Sequence, residues 1–456
     1  MAGVGEALTA RSNRLAADVI PPDAKIALLS PCGWGNLGDA AIVQSLIQGI
    51  RKRLPRARLV AFSLNPEDTA ARHGIEAYTC LGYSLPLYTV RERQPASAGT
   101  SQSAVQSPAR RGAAVLRQIL RALPIRGTVR TWLLFPFRAA REPRHLARSR
   151  ERLRGCTLLV VAGGGQLDSV WGGPLGHPYV LWRWGRLSRS VRARFVFASV
   201  GTGGLSRVGR ALIVCALRLA EYRSYRDEVS RELLRAPALT GADPIVPDLA
   251  YGLTVATPTP PARESLVIGL SPMAYGHPNL WPRPDIVQYR RHVRSFGQLA
   301  ARALSDGHSV VIFTTDNDSA AIKDTLAALG DLGGAARQRL TIAPTPTLAA
   351  LFEVLSGVDL VVAARLHGVV LAHLAHRPVL AVAHERKVRT LMAEMGQERY
   401  CLEISQFDVV VGYERLLALA AEREDLIPQI VSRVALCRMR VLKQYDLLFG
   451  SEPTAG

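Results

Sequence analysis

Residues 24–54 read AKIALLSPCGWGNLGDAAIVQSLIQGIRKRL, and this stretch decides the fold class. It begins with a short apolar run, continues into a glycine-rich loop, and then carries apolar residues at helical spacing, which predicts a strand, a loop and a helix. A second apolar run at residues 57–64, ARLVAFSL, predicts the next strand. Alternation of strand, helix and strand is typical of a parallel sheet covered by helices.

The same alternation continues along the chain and predicts two doubly wound, Rossmann-like α/β domains. Further strands are predicted at residues 157–162, 194–200, 266–270, 309–314, 359–364 and 379–383. Helices are predicted at residues 207–220, 286–305, 347–356, 408–422 and 427–448. The Pro-rich segment TVATPTPPARES, residues 254–265, is the best linker candidate. We therefore expect one domain at residues 1–255 and another at residues 256–456.

Ligands of such domains bind beyond the carboxyl ends of the strands, so the loops after strands are the candidate sites. The first of these loops, residues 33–39, matches the dinucleotide pattern G-x-G-x-x-G. A nicotinamide site is disfavoured, because no acid follows at the expected position and Asp39 would repel a pyrophosphate. Two interpretations remain: the glycines serve only a tight turn, or Asn36 and Asp39 bind sugar hydroxyls, which we favour.

Two further loops carry charged residues after predicted strands. Residues 163–168, GGGQLD, allow the backbone at Gly164 and Gly165 to approach a ligand and place Asp168 to accept a hydrogen bond from a hydroxyl. A purely structural turn is the alternative for this loop. Farther on, Arg226 begins the segment RDEVS, which is either part of a site or an ordinary salt-bridged helix start.

The loop at residues 365–368, RLHG, lies between a predicted strand and a predicted helix. Arg365 and His367 there flank a helix start whose backbone N–H groups are free, and Gly368 follows; this combination suits an anion. A solvated arginine and a packed histidine are the alternative. Lys387 adds a cation after the next strand. No motif has the spacing of metal ligands, so we expect no metal.

Together these segments resemble the polysaccharide pyruvyl transferase family. The resemblance rests on GWGNLGDAAI (33–42), VVAGGGQLD (160–168), GTGGL (201–205), YRDEVS (225–230), VPDLAYGL (246–253) and RLHGVVLAHLAHRPVLAV (365–382), followed by Lys387. It implies two domains that face a cleft, as in GT-B glycosyltransferases. The first domain would hold the sugar acceptor and the second phosphoenolpyruvate.

The resemblance implies transfer of the enolpyruvyl group of phosphoenolpyruvate to a sugar diol, which forms a pyruvate ketal and releases phosphate. It places Arg226, Arg365 and His367 at the donor, with His367 as the general acid, and assigns Lys387 to a basic position. Asp39 and Asp168 correspond to acidic positions, and either would deprotonate the acceptor. Phosphoenolpyruvate is a co-substrate, and no cofactor is implied. The sequence departs from the pattern at residues 271–273, SPM, where many relatives have an arginine.

Two other functions stay open as alternatives. A nucleotide-sugar glycosyltransferase of exopolysaccharide biosynthesis would share the same architecture. Binding to nucleic acid is disfavoured, because the aromatic block TWLLFPF at residues 131–137 is apolar rather than interleaved with basic residues.

The formal net charge of the 456-residue chain is +20, and it is concentrated in a basic insertion at about residues 85–154. Within it, residues 110–154 contain 13 arginines against two glutamates. Basic helices beside an apolar block predict contact with an anionic membrane surface, where a lipid-linked acceptor would lie. A solvated basic insertion with no partner is the alternative. Neither a signal peptide nor a membrane-spanning run is evident. We therefore expect a cytoplasmic protein that is peripheral to the inner face of the membrane.

Overall fold

A computed structural model describes residues 20–30, 33, 35–82, 142–236, 239, 243–255, 263 and 265–452. Within these residues the chain forms two parallel six-stranded sheets, each covered by helices on both sides. The strand order is 3-2-1-4-5-6 in the first sheet, and the second sheet repeats it with its own strands. Two Rossmann-like α/β domains are thus confirmed.

The first sheet has the strand order β3-β2-β1-β4-β5-β6. Its strands are β1 (Lys25–Ser30), β2 (Arg58–Ser63), β3 (Glu76–Thr79), β4 (Cys156–Leu167), β5 (Arg194–Thr202) and β6 (Tyr222–Tyr225). The helices of this domain are α1 (Leu37–Arg53), α2 (Pro66–His73), α3 (Glu142–Leu153), α4 (His177–Ser190), α5 (Arg207–Leu219) and α6 (Glu228–Leu233).

The second sheet has the order β12-β11-β10-β7-β8-β9. Its strands are β7 (Val267–Ser271), β8 (Ser309–Ile312), β9 (Leu340–Ile342), β10 (Leu360–Ala363), β11 (Val379–Ala383) and β12 (Cys401–Glu403). The helices are α7 (Ile286–Ser305), α8 (Ser319–Ala327), α9 (Gly334–Gln338), α10 (Leu348–Gly357), α11 (Leu366–Leu374), α12 (Arg386–Glu394), α13 (Val409–Ala421) and α14 (Arg423–Phe449).

The last helix, α14, joins the two domains. The hydroxyl of Tyr445 lies 2.9 Å from that of Ser45 on α1. Arg53, also on α1 and buried, forms an ion pair with Asp446 at 2.6 Å. The end of the chain therefore packs on the first domain, although the sequence pattern assigned it to the second.

Prediction from the sequence located the central strands and missed the four at the sheet edges. Strands β10 and β11 are completely buried, so they form the continuous apolar runs that the pattern detects. The edge strands β3, β6, β9 and β12 are three or four residues long. Strand β4 extends farther than predicted and includes the glycine triplet at residues 163–165.

The described part of the basic insertion is a helix attached to the first domain. Arg152 of α3 stacks on the ring of Tyr78, 3.6 Å from its centroid, and buried Glu142 forms an ion pair with Arg183. Residues 83–141, and most of the predicted linker, lie outside the described residues. Among the helices that the structure describes, none has the length and apolarity needed to cross a membrane.

Candidate functional site

A cavity of about 210 Å³ lies between the two domains, at the carboxyl ends of strands from both sheets. Eight of the ten predicted site residues line it: Asn36, Asp39, Gly165, Asp168, Arg226, Arg365, His367 and Lys387. Gly164 and Gly368 do not line the cavity. Gly368 instead packs α11 on the sheet, since a Cβ there would lie 3.1 Å from the Cβ of Ala363.

The start of α1 brings the first domain against the second. The backbone N–H of Leu37 donates to the carbonyl of Thr315, which follows β8, at 2.9 Å. At the next residue, a Cβ on Gly38 would lie 1.9 Å from Nδ1 of His367. Glycine is therefore required at position 38 so that the imidazole can pack against α1.

His367 and Arg226 come from different domains and approach one carboxylate, that of Asp248. Nε2 of His367 lies 3.6 Å from Oδ2 of Asp248, and Nη1 of Arg226 lies 3.4 Å from the same oxygen. Asp248 is 4% exposed and also accepts a hydrogen bond from the backbone N–H of Ala250. Burial acts to raise the pKa of Asp248, but His367, Arg226 and that N–H together lower it to about 2. The carboxylate therefore remains ionised at neutral pH.

A strained serine anchors the chain just before Asp248. Ser199 of β5 has a φ of 53°, in the left-handed region, at an irregularity of the β5–β6 pairing. Its hydroxyl lies 2.8 Å from the carbonyl of Val246 and 2.6 Å from that of Pro247. Strain and irregular strands of this kind concentrate at functional sites, and this one positions the Asp248 segment.

The guanidinium of Arg226 carries an unsatisfied donor. Its Nη2 is buried and has no hydrogen-bond partner, and Nε lies 3.5 Å from Asp227. Gly201 makes room for the side chain, since a Cβ there would lie 2.5 Å from Nη2. Because buried polar groups are almost always paired, this unpaired donor of a cavity-lining residue makes Arg226 a candidate ligand contact.

Arg365, by contrast, is already engaged by two buried aspartates. Its Nη1 lies 3.0 Å from Asp316, and its Nη2 donates to Asp318 at 2.7 Å, with a further contact from Nε to Asp318. Burial opposes the charge, but the two carboxylates raise the pKa of Arg365 above its usual value. The arginine fixes the beginning of α11, and a substrate would have to share it with these partners.

Lys387 belongs to a second charged group, at the beginning of α12. Its Nζ lies 2.6 Å from Glu385, whose other oxygen lies 3.3 Å from Nε2 of His384. Although burial acts in the opposite direction, His384 and Lys387 lower the pKa of Glu385 below its usual range. Burial lowers the pKa of His384 despite its carboxylate partner.

Asp168 faces this group from the first domain, at the end of β4. It is 8% exposed, and its carboxylate accepts a hydrogen bond from the backbone N–H of Val170. Burial raises the pKa of Asp168 to about 6, even though that N–H and the charge of Lys387 oppose the shift. A carboxylate with this pKa is a better general base near neutral pH than an ordinary aspartate.

Asn36 and Asp39, at the beginning of α1, have different local roles. The side chain of Asn36 caps α1 by accepting a hydrogen bond from the backbone N–H of Asp39 at 3.1 Å, so its oxygen is used within the protein. Asp39 lies in the first turn of α1 and acts electrostatically on Arg365. Gly165 is exposed in the cavity, and its backbone is open to a ligand.

Helices α11 and α12 both begin at the cavity. In neither does the side chain of the N-cap residue, Arg365 or Glu385, accept a hydrogen bond from the first turn. The backbone N–H groups at these two starts favour an anion, as do the helix dipoles. Among the residues that the structure describes, no three His, Cys, Asp or Glu side chains are grouped to hold a metal ion.

Sequence analysis missed several residues that line this cavity or contact the side chains that line it. Asp248 lies in the quoted segment VPDLAYGL, but its role depends on contacts between distant segments. Asp316 and Asp318 follow the predicted strand at 309–314, so examining that loop would have found them. Trp171 and Trp281 lie in irregular segments that carry no motif.

Two Rossmann-like domains around a charged cleft define a GT-B-like protein. The family model described as polysaccharide pyruvyl transferase matches residues 36–386, and the chain belongs to this family, which confirms the resemblance. Membership makes the protein a transferase. No curated protein matches the sequence significantly.

Solved structures with the same fold include two bacterial proteins of low sequence identity. S. aureus MnaA in complex with UDP is 10% identical, with a TM-score of 0.53 over 94% of this chain and 99% of that one. A putative UDP-N-acetylglucosamine 2-epimerase from Listeria monocytogenes is 12% identical, with a TM-score of 0.52 over 93% and 96%. At these identities the likeness shows the fold alone.

Proposed function

We propose that this protein transfers the enolpyruvyl group of phosphoenolpyruvate to a sugar diol of a polysaccharide or lipid-linked repeat unit. The product is a pyruvate ketal, and phosphate is released. The observation that carries the proposal is the meeting of His367 and Arg226, one from each domain, at the buried carboxylate of Asp248. An imidazole and a guanidinium thus lie together at one interdomain cavity, which supports the roles of proton donor and cation that we assign to them.

The donor binds where the cavity offers N–H groups and cations. Phosphoenolpyruvate carries a carboxylate and a phosphate ester on the same carbon, C2, and both groups suit guanidinium and helix N-termini. Arg226 contributes its unpaired Nη2, and the uncapped starts of α11 and α12 contribute backbone donors. Lys387 balances the remaining charge. Arg365 acts mainly by fixing the start of α11.

The chemistry requires a proton at C3 of the enolpyruvyl group and a nucleophile at C2. His367 donates the proton to C3, which leaves positive charge at C2; Asp248 stabilises the imidazolium that donates it. The first sugar hydroxyl attacks C2, phosphate leaves, and the second hydroxyl closes the ketal. Each of the two sugar hydroxyl groups loses its proton. The proton of the first hydroxyl compensates for the one delivered to C3, and the proton of the second goes to phosphate. Asp168, whose pKa is raised to about 6, accepts the first of them.

The decisive comparison is between two donors. Purified protein is incubated with a lipid-linked oligosaccharide and either phosphoenolpyruvate or a UDP-hexose, and released phosphate and UDP are measured. We expect acceptor-dependent phosphate release from phosphoenolpyruvate only. Release of UDP with transfer of the hexose would instead identify a nucleotide-sugar glycosyltransferase.

The protein would bind an anionic membrane surface through residues 110–154 and meet its lipid-linked acceptor there. Vesicles of phosphatidylglycerol should bind the protein and those of phosphatidylcholine should not. A deletion of residues 95–140 tests this while keeping α3, whose Glu142 is buried in an ion pair with Arg183. The deletion should remove vesicle binding, and undiminished binding would refute the membrane role.

A further inference from the structure

We propose that Trp171 and Trp281 form a stacking subsite for one pyranose ring of the acceptor. The two indoles come from different domains and both line the interdomain cavity. As an acceptor subsite this inference rests on the proposed function, but the binding of a sugar ring to these side chains can be measured without any reaction.

The two rings form a corner. Their centroids are 5.9 Å apart and their planes meet at 78°. A ligand in this corner therefore contacts both indole rings, whose planes are nearly perpendicular to each other. Because the corner includes both domains, a ring bound there also holds the domains together.

The ring of Trp281 is held by two other rings of its own domain. It lies 5.1 Å from Tyr275, nearly edge-on, and 5.9 Å from His384. The backbone N–H of Trp281 also donates to the carbonyl of His277 at 3.1 Å. This support fixes the indole in place before a ligand arrives, which lowers the entropic cost of binding.

Polar groups are fixed beside the aromatic corner. Asp168 accepts a hydrogen bond from the backbone of Trp171, so its carboxylate lies beside the residue that carries the indole. Glu385 and Lys387 line the same cavity and lie one and three residues after His384, which contacts Trp281. An aromatic wall with carboxylates at its side matches a pyranose, which has an apolar C–H face and a rim of hydroxyl groups. The negative face of an indole attracts such C–H groups.

The test uses saturation-transfer NMR with the methyl glycosides of glucose, galactose and mannose, without phosphoenolpyruvate. Wild type should transfer saturation to the ring C–H protons of at least one glycoside. Trp171→Ala and Trp281→Ala should each weaken binding roughly tenfold. Trp281→Phe, which keeps an aromatic face, should retain most of it. Trp182→Ala is the matched control, because Trp182 is a half-buried indole on α4 that does not line the cavity.

Several results would overturn the subsite. These are wild-type protein that binds none of the three glycosides, alanine variants that bind like wild type, and a Trp182→Ala loss equal to theirs. Saturation transfer to UDP that depends on these two tryptophans, without transfer to glycosides, would assign the corner to a nucleotide. Thermal unfolding of each variant checks that the fold is kept.

Failure of the subsite and failure of the proposed function give different results. If Trp171→Ala keeps the acceptor KM of wild type while phosphate release continues, the subsite is wrong and the transferase activity stands. If wild type binds glycosides through the tryptophans but releases no phosphate from phosphoenolpyruvate, the sugar subsite stands and the donor assignment is wrong.

Discussion

Nε2 of His367 lies 3.6 Å from Oδ2 of Asp248, and this pair joins the two domains where His367 lines the cavity. The distance is within ion-pair range and longer than a hydrogen bond. It depends on Gly38, which lets the imidazole lie against α1, and on the Ser199 hydroxyl, which holds the backbone before Asp248. A carboxylate that holds a histidine in this way orients its imidazole ring.

The first prediction concerns this pair. Asp248→Asn removes the charge that stabilises the imidazolium, so kcat should fall roughly 10²- to 10⁴-fold while binding of phosphoenolpyruvate changes little. His367→Ala should lower kcat by a similar factor. Steady-state kinetics gives kcat, and calorimetry with phosphoenolpyruvate alone gives the donor affinity.

A double variant separates a shared role from two independent ones. If Asp248 acts through His367, the double variant should be about as slow as His367→Ala alone. Losses that multiply would show that Asp248 contributes separately and would contradict a positioning role.

Arg226 is expected to act on the donor rather than on the chemical step. Arg226→Ala leaves the phosphoenolpyruvate anion without its guanidinium, and the donor KM should rise about 100-fold with a smaller change in kcat. Arg231→Ala is a suitable control, since Arg231 forms an exposed ion pair with Glu228 nearby, away from the cavity. An unchanged donor KM in Arg226→Ala would remove Arg226 from the donor site.

The raised pKa of Asp168 predicts a pH dependence of the rate. If Asp168 is the base, it must be ionised, so kcat/KM should rise with pH and level off above about 6. Asp168→Asn should be slow and should lack this acidic limb. A variant that keeps the limb with the same midpoint would assign the titration to another group.

The same shift predicts an effect on stability. A carboxyl whose pKa is raised on folding contributes stability that is fully present below its unfolded value of 3.8 and is lost as the pH rises to about 6. Above pH 6 the free energy of unfolding of Asp168→Asn should therefore exceed that of wild type by up to about 3 kcal/mol. Near pH 3.5 the two should not differ. Denaturant titrations at both pH values measure this difference. Equal free energies of unfolding for the variant and wild type at pH 7 would show that burial of the ionised Asp168 carboxylate does not destabilise the fold.

Much of the fold was predictable because its central strands are buried on both faces. Short apolar runs such as DLVVAA and VLAVA are typical of buried strands, and the helices between them show clear periodicity. Edge strands escape such analysis. Strand β6, for example, has the sequence YRSY, and the burial of Arg223 depends on a distant partner, Asp243, at 2.9 Å.

The candidate site was predictable where strand-end loops carry charged motifs, and not where the contacts are tertiary. The position of His367 follows from its loop, but its partner Asp248 lies on the other domain. The engagement of Arg365 by Asp316 and Asp318 is also invisible in the sequence, because the three residues come from two loops. A pattern identifies which residues reach the cleft, and packing decides which of them remain free for a ligand.

The most direct measurement of the central claim is mass spectrometry of the acceptor. A lipid-linked oligosaccharide is incubated with the protein and phosphoenolpyruvate labelled with carbon-13 at C2. The account predicts that the sugar gains the mass of one pyruvate less one water, and that the label appears in NMR as a ketal carbon bound to two oxygens of one sugar. An unmodified acceptor, or label in a single ether or ester linkage, would contradict it.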